Sequence, residues 1–186
     1  MAMVKVEGGT VKLGENKQPV AVEPFQIDKT EITNAMYQAV NKDFEVPAGM
    51  ANHPVVEVSY FDAESYCKSQ GKRLPTRKEW EMAARGSDGR EYPWGNTFNA
   101  ANANTLESGT NATAEAGSHP KGASPYGAQD MCGNVWEWVD EWDSAKQYRL
   151  LMGGSYFEDK TRATAYSTLT SIPEDTHTYS GFRCVK

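Results

Sequence analysis

The stretch Gly71-Lys72-Arg73-Leu74-Pro75-Thr76-Arg77-Lys78-Glu79-Trp80-Glu81-Met82-Ala83-Ala84-Arg85-Gly86 encodes one short helix together with its start and its stop. Thr76 followed by Glu79 is a capping box, in which hydroxyl and carboxylate each take a backbone N–H that a first helical turn leaves free. Trp80, Ala83 and Ala84 fall at i, i+3, i+4 and form an apolar face. Gly86 then ends the helix. Upstream, Ser59-Tyr60-Phe61-Asp62 is a second capping box. Ala63, Tyr66 and Cys67 take the same spacing, and Gly71 is the stop. Two short amphipathic helices therefore sit back to back.

Outward from this pair the signals change. Val4 to Leu13 alternates weakly and reads as a strand broken by a turn at Gly8-Gly9; Gln18 to Ile27 is a second extended stretch. Thr33 caps a further short helix with Met36, Ala39 and Val40 expected to face inward. Asp43 to His53 reads as a loop. Asp88 to Tyr126, rich in Gly, Asn, Ala, Ser, Thr and Pro, reads as one long irregular segment, which a compact domain holds only when something fixes it. Strand-like signals return at Val135–Trp138, Leu150–Tyr156, Thr161–Leu169 and Gly181–Val185. Helices early, loops in the middle and strands at both ends indicate an α+β domain over residues 1–186.

Composition narrows the function. The 186 residues carry 19 Lys and Arg against 25 Asp and Glu, a net charge of −6 that disfavours nucleic-acid binding through the overall field. No apolar run approaches the roughly eighteen residues of a membrane helix, and Met1 to Val6 lacks a signal-peptide pattern, so neither membrane insertion nor secretion is expected from these residues. Compartment and oligomeric state have no signature. The three cysteines, Cys67, Cys132 and Cys184, include no CxxC pair, and His53, His119 and His177 are scattered, which disfavours a zinc site. The sequon Asn111-Ala112-Thr113 matters only in a secreted eukaryotic protein.

Ordered motifs now carry a resemblance. Pro24 to Asn34, His53-Pro54-Val55-Val56-Glu57-Val58-Ser59, Gly71 to Gly86, Tyr92-Pro93-Trp94-Gly95, Gly133-Asn134-Val135-Trp136-Glu137-Trp138, Gly153-Gly154-Ser155 and Gly181-Phe182-Arg183-Cys184 together resemble the formylglycine-generating enzyme (sulfatase-modifying factor) superfamily. The resemblance implies a C-type-lectin-like fold with two short helices, small antiparallel sheets and much irregular loop. Physically, Trp80, Trp94, Trp136 and Trp138 read as core aromatics whose indole N–H groups meet backbone, and Arg73, Arg85 and Arg183 as loop anchors on acids or carbonyls.

The same resemblance bears on chemistry. Catalytic members hold copper with two cysteines shortly after Gly-Gly-Ser; here those places fall on Glu158 and Ala163, so copper and the oxidase reaction are not expected. An iron-dependent branch takes its ligands from histidines on an additional helical domain; these 186 residues are too few to carry it and hold no histidine cluster, so that chemistry is not expected from them. Cys67 and Cys184 match positions that are disulfide-linked in some relatives; two buried thiols in contact are the alternative, and Cys132 reads as a small buried side chain. The turn Asp130 to Glu137 matches a calcium site of the family, with side-chain oxygens from Asp130 and Glu137 and carbonyls from Gly133 and Val135. A second family site would use Asn104 and Thr105 with Ser108 and Thr110, but Ser108 stands where aspartate is usual. The acidic run Glu137, Asp140, Glu141, Asp143 reads as a solvated face.

Between Gly154 and Gly181 the chain departs most from the catalytic pattern. Met152 and Ser167 stand where arginines are frequent, while Arg162 is kept. The segment is rich in Tyr, Thr, Ser, Asp and His, side chains suited to adaptable contacts. This resembles the variable proteins of phage and bacterial diversity-generating retroelements, whose hypervariable segment lies between Gly-Gly-Ser and Gly-Phe-Arg. The resemblance implies a non-catalytic domain that binds a protein or cell-surface ligand through residues 153–183, with Tyr156, Phe157, Glu158, Asp159, Tyr166, Thr168, His177 and Tyr179 as contact residues. The rival expectation is a degenerate enzyme relative acting as an accessory or with an oxidoreductase activity of its own.

Overall fold

A computed structural model describes residues 2–186. The chain opens with β1 (Met3–Val6), β2 (Gly9–Leu13), β3 (Gln18–Val22) and β4 (Phe25–Asp28). β2 and β3 form a hairpin, and β1 returns to pair with β4, Val4 opposite Ile27. Three helices follow: α1 (Asn34–Val40), α2 (Tyr60–Ser69) and α3 (Arg77–Arg85). Residues 86–135 contain only three single-turn 3-10 helices. β5 (Trp136–Trp142), β6 (Arg149–Met152), β7 (Thr168–Ser171) and β8 (Ser180–Gly181) then build a four-stranded sheet in the order β7-β6-β5-β8, with β8 parallel to β5.

Both capping boxes form. Ser59 and Thr76 accept the N–H groups of Asp62 and Glu79, and each carboxylate bonds back to the cap N–H. α2 buries Tyr60, Ala63, Tyr66 and Cys67, as its spacing predicts. α3 departs from the amphipathic reading, because every residue from Glu79 to Arg85 is buried. The polar face is covered because Glu81 accepts from the Gly14 N–H and Arg85 donates to the carbonyls of Lys12, Gly14, Gly89 and Arg90. In α1 the fully buried residues are Asn34 and Tyr37; Met36 and Val40 pack half-buried against the core as expected, and Ala39 is exposed. Asn34 turns inward because its amide donates to the Met50 carbonyl, and Tyr37 packs on Tyr66 and Phe182.

The C-terminal strand signals shift as well. β6 stops at Met152, and Thr161 to Ser167 forms turns instead of strand. Gly153 and Gly154 force the break: both sit at positive φ, and a Cβ would lie 2.8 Å from the Trp80 ring at Gly153 and 2.7 Å from the Ala163 Cα at Gly154. Phe182 to Lys186 leaves the sheet and runs beside Gln26–Ile32, where Asp28 donates to the Cys184 carbonyl and Ile32 to that of Phe182. Val185 bridges both Ile27 and Arg73. Cys67 and Cys184 form a disulfide across 117 positions of sequence, tying α2 to this terminal segment. A loop that long contributes about 4–5 kcal/mol in the chain-entropy account.

The core has two principal parts. One gathers Trp80, Met82 and Met131 with strands β1 to β4; the other gathers Trp136, Trp138, Phe182 and the inner faces of α1 and α2. Among the described residues no helix is long and apolar enough to cross a membrane.

Glu79 offers a test of the α3 start. Burial alone would raise its carboxyl, but the Arg73 guanidinium and the Thr76 N–H and hydroxyl hold it below its ordinary value. Glu79→Gln is expected to cost about 1–2 kcal/mol at neutral pH. A carboxyl depressed in the folded state stabilises above its unfolded value of about 4 and loses that contribution as pH falls. Urea melts of wild type and variant should therefore converge in acid; a gap independent of pH contradicts this.

Candidate ligand-binding surface

The surface rests on one buried ion pair. Arg183, fully buried, donates through Nε to Glu137 Oε2 at 2.7 Å and through Nη2 to Glu137 Oε1 at 2.7 Å. Its remaining N–H groups reach the carbonyls of Asp28, Lys29 and Gln129. Trp80 Nε1 donates to the same Glu137 Oε2 at 2.7 Å, so α3, β5 and the terminal segment meet at one carboxylate. Glu31 lies in the same charge cluster. Burial, together with the charges of Asp130 and Glu137, pushes its carboxyl well up, against the pull of Arg183. Glu31 Oε1 accepts from Asn134, and Oε2 is buried with no hydrogen-bond partner among the described residues.

This geometry qualifies the metal ligands expected at the turn. Glu137 has both oxygens engaged by Arg183 and Trp80, and Asp130 Oδ2 accepts from the Gly117 N–H. The Gly133 and Val135 carbonyls accept no hydrogen bond among the described residues. The turn itself is held by Asn134, whose amide bridges Glu31, Asn104 and the Ala114 N–H. At the second place, Asn104 Oδ1 accepts from the Ser108 and Thr110 hydroxyls, and no carboxylate joins them. Among the described residues no group of three or more His, Cys, Asp and Glu side chains could hold a metal ion.

The two positions after Gly-Gly-Ser are equally specific. Glu158 accepts from the Trp136 indole at 3.3 Å and pairs with Arg162 at 3.2 Å. The indoles of Trp80 and Trp136 thus meet carboxylates rather than the expected backbone; those of Trp94 and Trp138 do meet carbonyls. Ala163 is buried, and its carbonyl accepts from the Cys132 thiol, which burial pushes up in pKa.

The structure brings four of the eight proposed contact residues together and sets two apart. Phe157 is 54% exposed and packs on Tyr156 with ring centroids 4.5 Å apart. Phe157 also meets Tyr179 edge to face at 6.1 Å, and Tyr179 stacks on His177 at 4.9 Å. Tyr156 itself is buried, only 6% exposed, and serves as the floor of this patch instead of its surface. Ser171 fixes the His177 ring at 2.9 Å, and the His177 carbonyl accepts from Glu57, so the loop after β7 is anchored at both levels. Glu158 borders the patch. Asp159 turns its carboxylate onto Thr161 and Arg162, which fits a loop-shaping role. Tyr166 and Thr168 lie elsewhere, around a separate hollow with Arg77 and Arg162; Tyr166 donates to Glu91 and carries the Arg85 guanidinium 4.6 Å over its ring. Arg77 and Glu91 sit far off in sequence, and nothing local marks them as neighbours of this segment.

The whole chain, residues 1–186, matches the family described as Sulfatase-modifying factor enzyme 1-like domain. It is 40% identical over 148 residues to the Bos taurus protein named inactive C-alpha-formylglycine-generating enzyme 2, covering 70% of this chain and 49% of that protein. It is 37% identical over 172 residues to the Streptomyces coelicolor formylglycine-generating enzyme, covering 73% and 53%. The chain therefore spans about half the length of the curated relatives it matches. Among solved structures, Treponema denticola variable protein 1 superposes with a TM-score of 0.88 at 21% identity, covering 98% of this chain and 94% of that one, which shows the shared fold.

The buried ion pair makes a sharp prediction. Arg183→Gln leaves Glu137 without its countercharge and is expected to cost about 3–5 kcal/mol in urea unfolding. A loss below about 1 kcal/mol would mean that the carboxylate is neutralised another way.

Proposed function

The chain belongs to the sulfatase-modifying factor enzyme 1-like family, and from that membership we propose that it is a non-catalytic binding domain whose C-terminal surface takes a protein or cell-surface ligand. The observation that carries the reading is the state of the segment after Gly154. At the places where catalytic relatives present two thiolates, Glu158 is committed to Trp136 and Arg162, and Ala163 offers no side-chain donor. Soft thiolates are what a cuprous ion requires, so the copper reaction has no foothold here. Beside them stands an aromatic group, the exposed Phe157 with the half-buried His177 and Tyr179, on a backbone already fixed by Ser171 and Glu57. Rigid aromatic side chains on a pre-ordered loop give contact area at low entropic cost. The likeness of fold to a protein named a variable protein supports the same reading. For the rival, an accessory or altered oxidoreductase, no group of three or more His, Cys, Asp and Glu side chains among the described residues could hold a metal ion.

An array of extracellular protein domains probed with the wild type and with the Phe157→Ala/Tyr179→Ala variant tests this. We expect a wild-type signal weakened by about thirtyfold or more in the variant, as for aromatic hot spots, and the exposed Phe157→Ala alone should weaken it with the melting temperature nearly unchanged, because Tyr179 is half-buried against the core. A signal indifferent to both residues would sink the assignment of the surface.

We also propose calcium at the turn Asp130 to Glu137. Asp130 and the free carbonyls of Gly133 and Val135 are the hard oxygen donors that calcium takes, and Glu137 would join from its place on Arg183. The ion would tie down a loop and take no part in chemistry. At a hundredfold excess over Kd, calcium should raise the melting temperature by about 5–10 °C, an effect lost in Asp130→Ala. Identical melts in chelator and in calcium would remove the ion from the account.

A further inference from the structure

Arg77, the first residue of α3, lines two adjoining hollows. One, of about 350 Å³, is shared with Arg162, Tyr166, Ser167 and Thr168. The other, of about 290 Å³, has Leu13, Val20, Leu150 and Trp142 on its walls. Through the shared Arg77 they line one groove between the β2–β3 hairpin and the C-terminal sheet, whose basic end meets the border of the aromatic patch where Arg162 pairs with Glu158. Each hollow is near the small end of the range of ligand sites.

The two ends differ in chemistry. Glu81 is fully buried and serves two guanidinium groups, Arg77 at 3.1 Å and Arg85 at 3.3 Å. Arg85 is buried among four carbonyls, which leaves Arg77 as the guanidinium that reaches the hollow, while Glu158 on Arg162 and Glu91 on Tyr166 offset part of the positive charge there. Arg77 uses only its Nε in a hydrogen bond among the described residues, and Arg162 likewise pairs with Glu158 through Nε. Both outer forks are therefore available, with the Ser167 and Thr168 hydroxyls beside them. Tyr166 is fixed by Glu91 and the stacked Arg85, which keeps that wall rigid. At the other end Trp142 is held flat by the Arg149 guanidinium 3.9 Å over its ring, and Lys78, Glu141 and Asp143 line the rim.

We propose that this groove binds a partner-protein segment carrying an acidic side chain next to a branched aliphatic one. The carboxylate lies between the forks of Arg77 and Arg162, whose planar donors match it two by two. The aliphatic side chain lies against Leu13, Val20 and Trp142. Glu15, exposed on the rim of the basic end, opposes the acid and limits affinity. The proposal goes beyond the aromatic surface and does not depend on it.

The test is an amide NMR titration of the full chain with N-acetyl-leucyl-glutamate amide, and with its glutamine analogue as the neutral control. The acidic probe should shift resonances of 13–20, 77–78 and 161–168 together with the Trp142 indole, and the neutral probe should bind about tenfold more weakly. Arg162→Gln should abolish the preference for the acid, Glu15→Gln should tighten binding, and Phe157→Ala should leave the titration unchanged. Arg77→Gln should act as Arg162→Gln does; Arg162, half exposed, keeps the test valid should the Arg77 variant unfold. Equal response to both probes, shifts centred elsewhere, or no response at millimolar probe would overturn the proposal. Loss of binding in Phe157→Ala would return the ligand to the aromatic patch.

Discussion

The carboxylate of Glu137 and the guanidinium of Arg183 are the contact on which the remaining structure depends. A buried charge pair is costly unless each donor and acceptor finds a partner. Here all five N–H groups of Arg183 are used: three carbonyls and both Glu137 oxygens accept them. Trp80 adds a further donor to the same carboxylate. The chain segments so joined are β4 and the residue after it, α3, the turn near Gln129, β5 and the C-terminal run. These segments pair into no single sheet, so the ion pair does for them what a hydrogen-bond ladder does elsewhere.

The same device recurs at smaller scale, which explains how a domain with so much irregular backbone holds a defined surface. Arg85 gathers the carbonyls of Lys12, Gly14, Gly89 and Arg90 around α3. The Asn134 amide links Glu31, Asn104 and Ala114. The disulfide closes α2 onto the terminal segment. Arg85 and Asn134 satisfy backbone polar groups that would otherwise be buried and unpaired, and the disulfide adds a covalent tie. Because the anchors sit beneath residues 153–183, Phe157, Asp159, Thr161 and Thr168 can face solvent without holding the fold.

Much of this was legible in the sequence where the signal is local. The capping boxes at Ser59 and Thr76, the inward spacing of Ala63, Tyr66 and Cys67, and the irregular stretch after Arg85 all follow from neighbouring residues. The family motifs extended the reading to the α+β, C-type-lectin-like fold. What escaped is non-local. Full burial of α3 depends on Glu81 and Arg85 meeting partners some 70 positions away. The strand expected over Thr161–Leu169 gives way because Gly153 and Gly154 turn the chain against Trp80 and Ala163. Tyr156 reads as a surface residue by composition but fills the floor under Phe157. The gathering of Phe157, His177 and Tyr179, and the removal of Tyr166 to a separate hollow, are consequences of loop placement that no local pattern encodes.

The central claim is that the fold is held from below and the C-terminal surface is free to change. The most direct measurement is a combinatorial library at the exposed Phe157, Asp159, Thr161 and Thr168, sorted for protease resistance beside a matched library at the buried Ser155, Ala163, Ala165 and Ser180. The account predicts that most members of the first library stay folded and most members of the second do not. If the first library unfolds as readily as the second, these residues hold the fold together and are not a surface built for contact.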